Sequence, residues 1–386
     1  MGRLPPRPHA PRYESLDTWR GLACLLVLVN HGVFYNAALP SIAPAWLGHI
    51  NALIATVAAR CWAGVPVFFV ISGYCISATV DSHRRKRTSV PTYFLKRFRR
   101  IFPPYWVVLF GTALVIGVGD VLGSGVITRN SGLLRPWWYS PAQWAGSITL
   151  TEIWRYHLVG GGKGLFLGHA WTLCYEEQFY AVTGALLWLC PRRFFLGAAL
   201  VTVAVALTVV AASHADIAID GFFFDGGWIQ FALGILLYYA LNYTSRPGQW
   251  AAAAVFGLVV AAALSRGSAL LAVDKNDAQA YLVAGLFALT ALVLRPFDQD
   301  AVQSRVLQPI RWCGLMCYSL YLVHLPVTNL IRAALGAAGV VTGALSPFIS
   351  LPLCGIPSIW LAWRFHLAVE RKFMNSPSPG AVARPA

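Results

Sequence analysis

Acidic residues are scarce in this chain: 15 Asp and Glu stand against 30 Lys and Arg, and only 12% of its 386 residues are charged. A soluble domain keeps about a quarter of its residues charged, so this composition excludes a water-exposed globular fold. Hydrophobic residues make up 57% and the mean hydropathy is +0.59. Long polar segments are missing too. One membrane domain is therefore expected over residues 1–372, with a short, disordered cytoplasmic tail at 373–386. The eight cysteines form no CxxC and no zinc-like spacing with histidine, which argues against a structural metal or a redox motif. Cys24, Cys75, Cys174, Cys190, Cys313, Cys317 and Cys354 fall in apolar stretches, where cysteine serves as a small packing hydrophobe rather than a disulfide partner. No serine or cysteine sits in a nucleophile motif.

What fills the chain instead is a succession of apolar runs long enough to cross about 30 Å of hydrocarbon. They lie at about 16–35, 60–80, 101–119, 170–189, 194–212, 226–242, 249–265, 279–295, 309–331 and 345–365. The expected fold is all-α, a polytopic transmembrane bundle of roughly ten helices. The stretch 47–59 reads either as the start of the second helix or as a separate interfacial piece.

The net charge of +15 is sorted by side. With the N-terminus inside, cytoplasmic segments hold Arg3, Arg7, Arg12, the run Arg84 to Arg87, the cluster Lys96 to Arg100, Arg192, Arg193 and the last basic pair, Arg371 and Lys372. The opposite side holds Arg60, Arg129, Arg135, Arg155, Lys163, Arg266, Lys275 and Arg332. The positive-inside rule then predicts a multi-pass protein of the plasma (inner) membrane with both termini cytoplasmic. Nucleic acid is not an expected partner, because the basic run lies between two spans. Asp17 and Arg20 interrupt the first apolar stretch, so it reads as a retained anchor rather than a cleaved signal peptide.

That first stretch, LDTWRGLACLLVLVNHG, carries His31 eleven residues after Arg20. Eleven helical steps turn about 1100° and rise about 16 Å, so Asp17, Arg20 and His31 share one face. A charged group at mid-membrane costs about 2.5–3.5 kcal/mol on insertion scales. The stripe must therefore face protein or water.

Four further segments carry polar chemistry. In FFVISGYCIS, Ser72 and Gly73 allow close helix packing or border a cavity. In YFLKRFRRIFPPYW, Arg97 and Arg100 lie near each other at a spacing of three; they set topology, grip phosphates, or do both. In HAWTLCYEEQFYAVTGAL, Thr172, Glu176, Tyr180 and Thr183 form one helical stripe, open to a functional or a salt-bridge reading. In RWCGLMCYSLYLVHLP, Cys313, Cys317, Tyr321 and His324 share a face, and a membrane histidine there is a site residue or a helix-to-helix hydrogen bonder. The segment 120–169 is rich in Trp and Tyr, which suits a sugar, a lipid headgroup or an interfacial belt. Helical rise puts His31, Glu176 and His324 in the outer half of the bilayer, where they are expected to converge, with the arginine cluster at the inner surface.

Together these segments resemble the acyltransferase-3 family of integral membrane O-acyltransferases, which includes acetylases of lipopolysaccharide, exopolysaccharide and nodulation factors and acylases of macrolide sugars. The likeness rests on LDTWRG followed by His31, FFVISGY, Arg97 and Arg100 before FPPYW, WTLCYEEQFY and YSLYLVH, in that order. It implies a ten-helix core and transfer of an acyl group, acetyl foremost, from acyl-CoA as a co-substrate with no bound cofactor. The implied acceptor is a hydroxyl of a carbohydrate or glycosylated molecule. It also implies that His31 is catalytic, that Glu176 is an essential acid and that Arg97 and Arg100 are a required pair. Lys372 stands where the family often has a proline two residues after the glutamate matching Glu370. The short sequence beyond the last helix leads us to expect no fused hydrolase-like domain.

The mechanism expected from this set is direct transfer. Arg97 and Arg100, with Arg20, serve the donor; His31 is the general base, and Glu176 orients or charge-stabilises it. His324 binds the acceptor or the oxyanion, and Asp17, Ser72, Tyr180 and Tyr321 bind substrate or hold structure. Cys174 and Ser72 are the candidates for an acyl-enzyme. The competing class is a transporter or flippase of a lipid-linked sugar or small acid, which also uses intramembrane His, Glu and Arg.

Overall fold

A computed structural model describes residues 13–34, 45–123, 125–131, 133–162, 164–215, 217, 220–265, 275–340 and 345–374. Arg3, Arg7, Arg12, Lys163 and Arg266, and the expected tail beyond residue 374, lie outside them. The described residues are helical and contain no strand. In chain order the helices are α1 (Leu16–Gly32), α2 (Ala45–Arg60), α3 (Gly64–Lys86), α4 (Val90–Leu122), α5 (Val126–Ser131), α6 (Pro141–Thr149) and α7 (Glu152–Val159). Then come α8 (Trp171–Leu189), α9 (Phe194–His214), α10 (Gly227–Tyr243), α11 (Arg246–Leu264), α12 (Lys275–Val293) and α13 (Asp298–Gln303). Last are α14 (Gln308–Leu315), α15 (Cys317–Ala337) and α16 (Pro347–Phe365), which runs on through a π-turn, His366–Glu370.

Six helical stretches are long and apolar enough to span a bilayer: Trp46–Lys86, Val90–Leu122, Pro191–Ala212, Arg246–Leu264, Cys317–Ala337 and Pro347–Phe373. A seventh is added if Ala278–Val293 and Arg295–Gln303, bent by 59°, form one broken span. The expected count of ten is thus not confirmed. Each expected run is helical, but α1 and α10 have 17 residues, and α8 carries Glu176, Glu177 and Gln178 in its middle. The expected helix at 309–331 is two helices, α14 and α15, interrupted at Met316. On α9, Leu196, Leu200, Val203 and Leu207 recur at helical spacing and are all exposed. An apolar stripe turned outward is what a lipid-facing helix presents, and the protein is an integral membrane protein.

The described chain forms two compact units. The first takes residues up to Val27, Arg60–Arg87 and Thr172–Cys317. Its core joins Val70 and Tyr74 of α3 to Leu233, Leu237 and Tyr238 of α10 and Phe287 and Ala288 of α12. The α3 and α10 backbones touch where Gly73 and Gly234 face each other's helix: a Cβ on Gly73 would lie 1.9 Å from the Phe231 carbonyl oxygen, and one on Gly234 1.9 Å from that of Val70. Just before α1, Asp298 accepts the Glu14 and Ser15 amides, each at 2.9 Å, anchoring the chain where the helix starts. Asp81 on α3 is buried and bonded by Arg85 at 2.5 Å, by Tyr238 at 2.9 Å and by Tyr243.

The second unit takes Leu28–Ala59, Thr88–Trp171 and the residues from Tyr318 onward. Helix α4 starts eleven residues before the expected run at 101, because extended Ser89 and Pro91 in the first turn launch it there. It continues through Pro103 and Pro104, whose missing amides leave the Arg99 and Arg100 carbonyls without their usual helical donors. The Trp-rich segment is built of α5, α6 and α7, with α6 tied to α4 by Tyr105 to the Ser147 carbonyl at 2.7 Å and Trp106 to the Ile148 carbonyl at 2.9 Å. Buried Glu152 accepts Nη2 and Nε of Arg155, at 2.7 and 2.8 Å, and the Gly164 amide at 3.0 Å. The hydrogen bond to Glu152 raises Arg155 above its ordinary range.

Candidate active site

In the second unit, the C-terminal turn of α1 brings His31 against His324 of α15. Their Nδ1 and Nε2 atoms are 3.0 Å apart. The ring centroids are 5.1 Å apart and the planes differ by 29°, so the imidazoles meet edge to edge, as a hydrogen bond between ring nitrogens requires. His324 is 2% exposed, and its Nδ1 lies 2.7 Å from the Tyr321 carbonyl and 3.1 Å from that of Leu320.

His169, in the turn before α8, closes the cluster. Its ring packs edge-on against Tyr321 at 5.1 Å and His324 at 5.3 Å. It is 6% exposed, and neither ring nitrogen makes a well-formed hydrogen bond; the Leu322 backbone makes the weak contact available to it. Pro326 lacks the amide that would normally occupy the Leu322 carbonyl. Tyr321 holds this turn in place by donating to the His169 carbonyl at 2.5 Å. The sequence reading passed over His169. The signal was present, an ionisable residue directly before the span that carries Glu176.

Two more parts of this unit bear on the site. Arg97 and Arg100 stand one helical turn apart near the start of α4, both partly buried, with Lys96 and Arg99 exposed beside them. The next residue, Ile101, accepts the Tyr318 hydroxyl of α15 at 2.8 Å through its carbonyl. At the other end of the sequence, Glu370 is 5% exposed; it accepts Ser319 of α15 at 2.5 Å and pairs with His366 at 2.7 Å. Arg332, farther along α15, lies over the Phe34 ring at 4.7 Å.

The first unit assembles the other expected residues. Glu176 of α8 accepts Ser72 of α3 at 2.6 Å and the Tyr180 hydroxyl one turn along its own helix. Ser72 therefore has a polar partner while Gly73 beside it serves packing, and α3 is helical through both. Arg20 bonds Asp17 at 3.1 Å and the Cys75 sulfur at 2.9 Å. This pair sits where α1 and α14 meet backbone to backbone: a Cβ on Gly314 would stand 1.6 Å from the Asp17 carbonyl oxygen. All eight cysteines are free thiols.

A family model described as an acyltransferase domain matches residues 13–367. The chain belongs to the acyltransferase-3 family. The match takes in every residue of the histidine cluster, the α4 arginines and the Glu176 group of this acyltransferase. No curated relative and no solved structure matches it.

Proposed function

We propose that this acyltransferase is an O-acetyltransferase of the plasma membrane, moving an acetyl group from acetyl-CoA to a hydroxyl of a carbohydrate or glycosylated acceptor, with both termini in the cytoplasm. The observation that carries the reading is the part-buried His31–His324 hydrogen bond in a chain of this family. An imidazole held by a second imidazole at the end of an apolar helix is equipped to take a proton, and positioned bases of this kind contribute about 10²–10⁴-fold.

In the proposed reaction the acceptor hydroxyl oxygen attacks the thioester carbonyl as its proton passes to His31. The tetrahedral intermediate collapses, the carbon–sulfur bond breaks, and the thiolate leaves with a proton, giving the ester and free CoA. Arg97 and Arg100 bind the donor's phosphates from one helical face, where a guanidinium supplies a two-pronged, permanently charged grip. Arg20, oriented by Asp17, is assigned to the donor as well. Glu176, held by Ser72 and Tyr180, is assigned as the second catalytic group. Tyr321 supports the histidine cluster.

The test uses the full chain in nanodiscs with acetyl-CoA labelled in the acetyl group and a total glycolipid and polysaccharide extract as acceptor. The expected product is label in an alkali-labile ester, with free CoA in equal amount. In a second reconstitution, into sealed vesicles, uptake of label with no ester formed would replace this reading by the transporter class. Arg97→Ala removes one charge-assisted contact of about 1.5–3 kcal/mol, so the acetyl-CoA KM rises at least about tenfold; an unchanged KM sinks the phosphate grip.

A further inference from the structure

We propose that His324 is the positioning residue for His31, holding it in the tautomer that carries its proton on Nδ1 and its lone pair on Nε2. The inference rests on the reading of His31 as the base, and adds what makes that base ready.

The Nδ1 of His324 faces two backbone carbonyls, those of Tyr321 at 2.7 Å and Leu320 at 3.1 Å. A carbonyl only accepts, so this nitrogen carries the proton. In a neutral imidazole the other nitrogen then accepts, and for His324 that nitrogen is Nε2, the atom 3.0 Å from Nδ1 of His31. The shared proton therefore belongs to His31 Nδ1. What remains on His31 is Nε2 with an unshared pair, the only ring atom still able to take a proton from a hydroxyl.

This tautomer is not the one a histidine prefers when left alone; in water a neutral side chain carries its proton mostly on Nε2, which would block the base. A second group must impose the other form, and the tautomer follows from the bond the far nitrogen makes. In a serine-protease triad a carboxylate has that part. Here an imidazole takes it, anchored by its own helix: the two carbonyls lie three and four residues before His324 on α15. Tyr321 contributes twice, through its carbonyl to the His324 ring and through its hydroxyl to the His169 turn that packs on that ring. Because His324 gives up no charge to His31, the pair stays neutral until the hydroxyl proton arrives.

The experiment is nitrogen-15 NMR of the full chain in nanodiscs, labelled at histidine, with His31→Gln to assign the His31 signals. The expected spectrum shows a protonated Nδ1 and an unprotonated Nε2 for His31. In His324→Leu the His31 signals move to a mixture dominated by protonated Nε2, and kcat for acetyl transfer falls at least tenfold while the acetyl-CoA KM changes less than twofold. His324→Gln, whose amide oxygen replaces the accepting nitrogen, restores the Nδ1-protonated form and part of the kcat. A wild-type His31 protonated on Nε2, or a tautomer indifferent to His324→Leu, overturns the proposal. A His31→Gln protein of undiminished turnover would instead overturn the reading of His31 as the base, so the two failures are told apart.

Discussion

The histidine pair and the C-terminal π-turn belong to the same compact unit and use imidazole in opposite ways. His31 and His324 are partnered by each other and by carbonyls. His366 is partnered by a carboxylate, Glu370, which also takes the Ser319 hydroxyl. A carboxylate can only accept, so it takes the imidazole N–H and the serine O–H together, and the result is a tie between α15 and the end of the chain. An imidazole partner adds no charge, directs the proton and leaves a lone pair free. Ser319 and His324 are five residues apart on one helix, so the carboxylate tie holds the start of α15 while the histidine pair proposed as the base lies farther along it.

The largest effect is expected at His31. His31→Gln should lower acetyl transfer by about 10²–10⁴-fold with the protein as stable as the wild type, measured as ester formed per folded molecule. Glu370→Ala should do the reverse. It leaves Ser319 and His366 without their shared acceptor and lowers stability by about 1–3 kcal/mol, read as a lower Tm in detergent, while turnover per folded molecule changes little. If Glu370→Ala removed activity without lowering the Tm, the division between a chemical and a structural histidine would collapse. The mildest change is Ser319→Ala, which removes one hydrogen bond of about 0.5–1.5 kcal/mol and keeps the His366–Glu370 pair; it should lower the Tm by less than Glu370→Ala does.

Much of the fold was legible because its signals are local. Apolar runs and flanking charges mark helices without reference to distant residues, and each expected run is helical. The misreadings arose where a helix answers to another part of the chain. The interruption at Met316 falls two residues after Gly314, where α14 presses on the α1 backbone; a lone glycine is tolerated inside a helix, so its presence in the sequence did not announce the break. The early start of α4 was visible in Ser89 and Pro91, but the continuous apolar run begins only at Ile101. Among candidate site residues, the spacing of Arg97 and Arg100 and the stripe of Glu176 and Tyr180 were readable as helix geometry. The partnership of Ser72 with Glu176 was not.

By itself the sequence determined that the protein is a helical membrane protein, that Asp17, Arg20 and His31 share a helix face, and that its motifs belong to one acyltransferase family. These are properties of composition and spacing, which persist whatever the helices pack against. Helical rise placed His31 and His324 at one depth, but only the tertiary structure decided that they hydrogen-bond across a separation of 293 residues, that His169 closes the cluster, and that Glu370 engages Ser319. A hydrogen bond is lost within about half an ångström of its ideal length, and no spacing along a chain carries that resolution. Packing sets it.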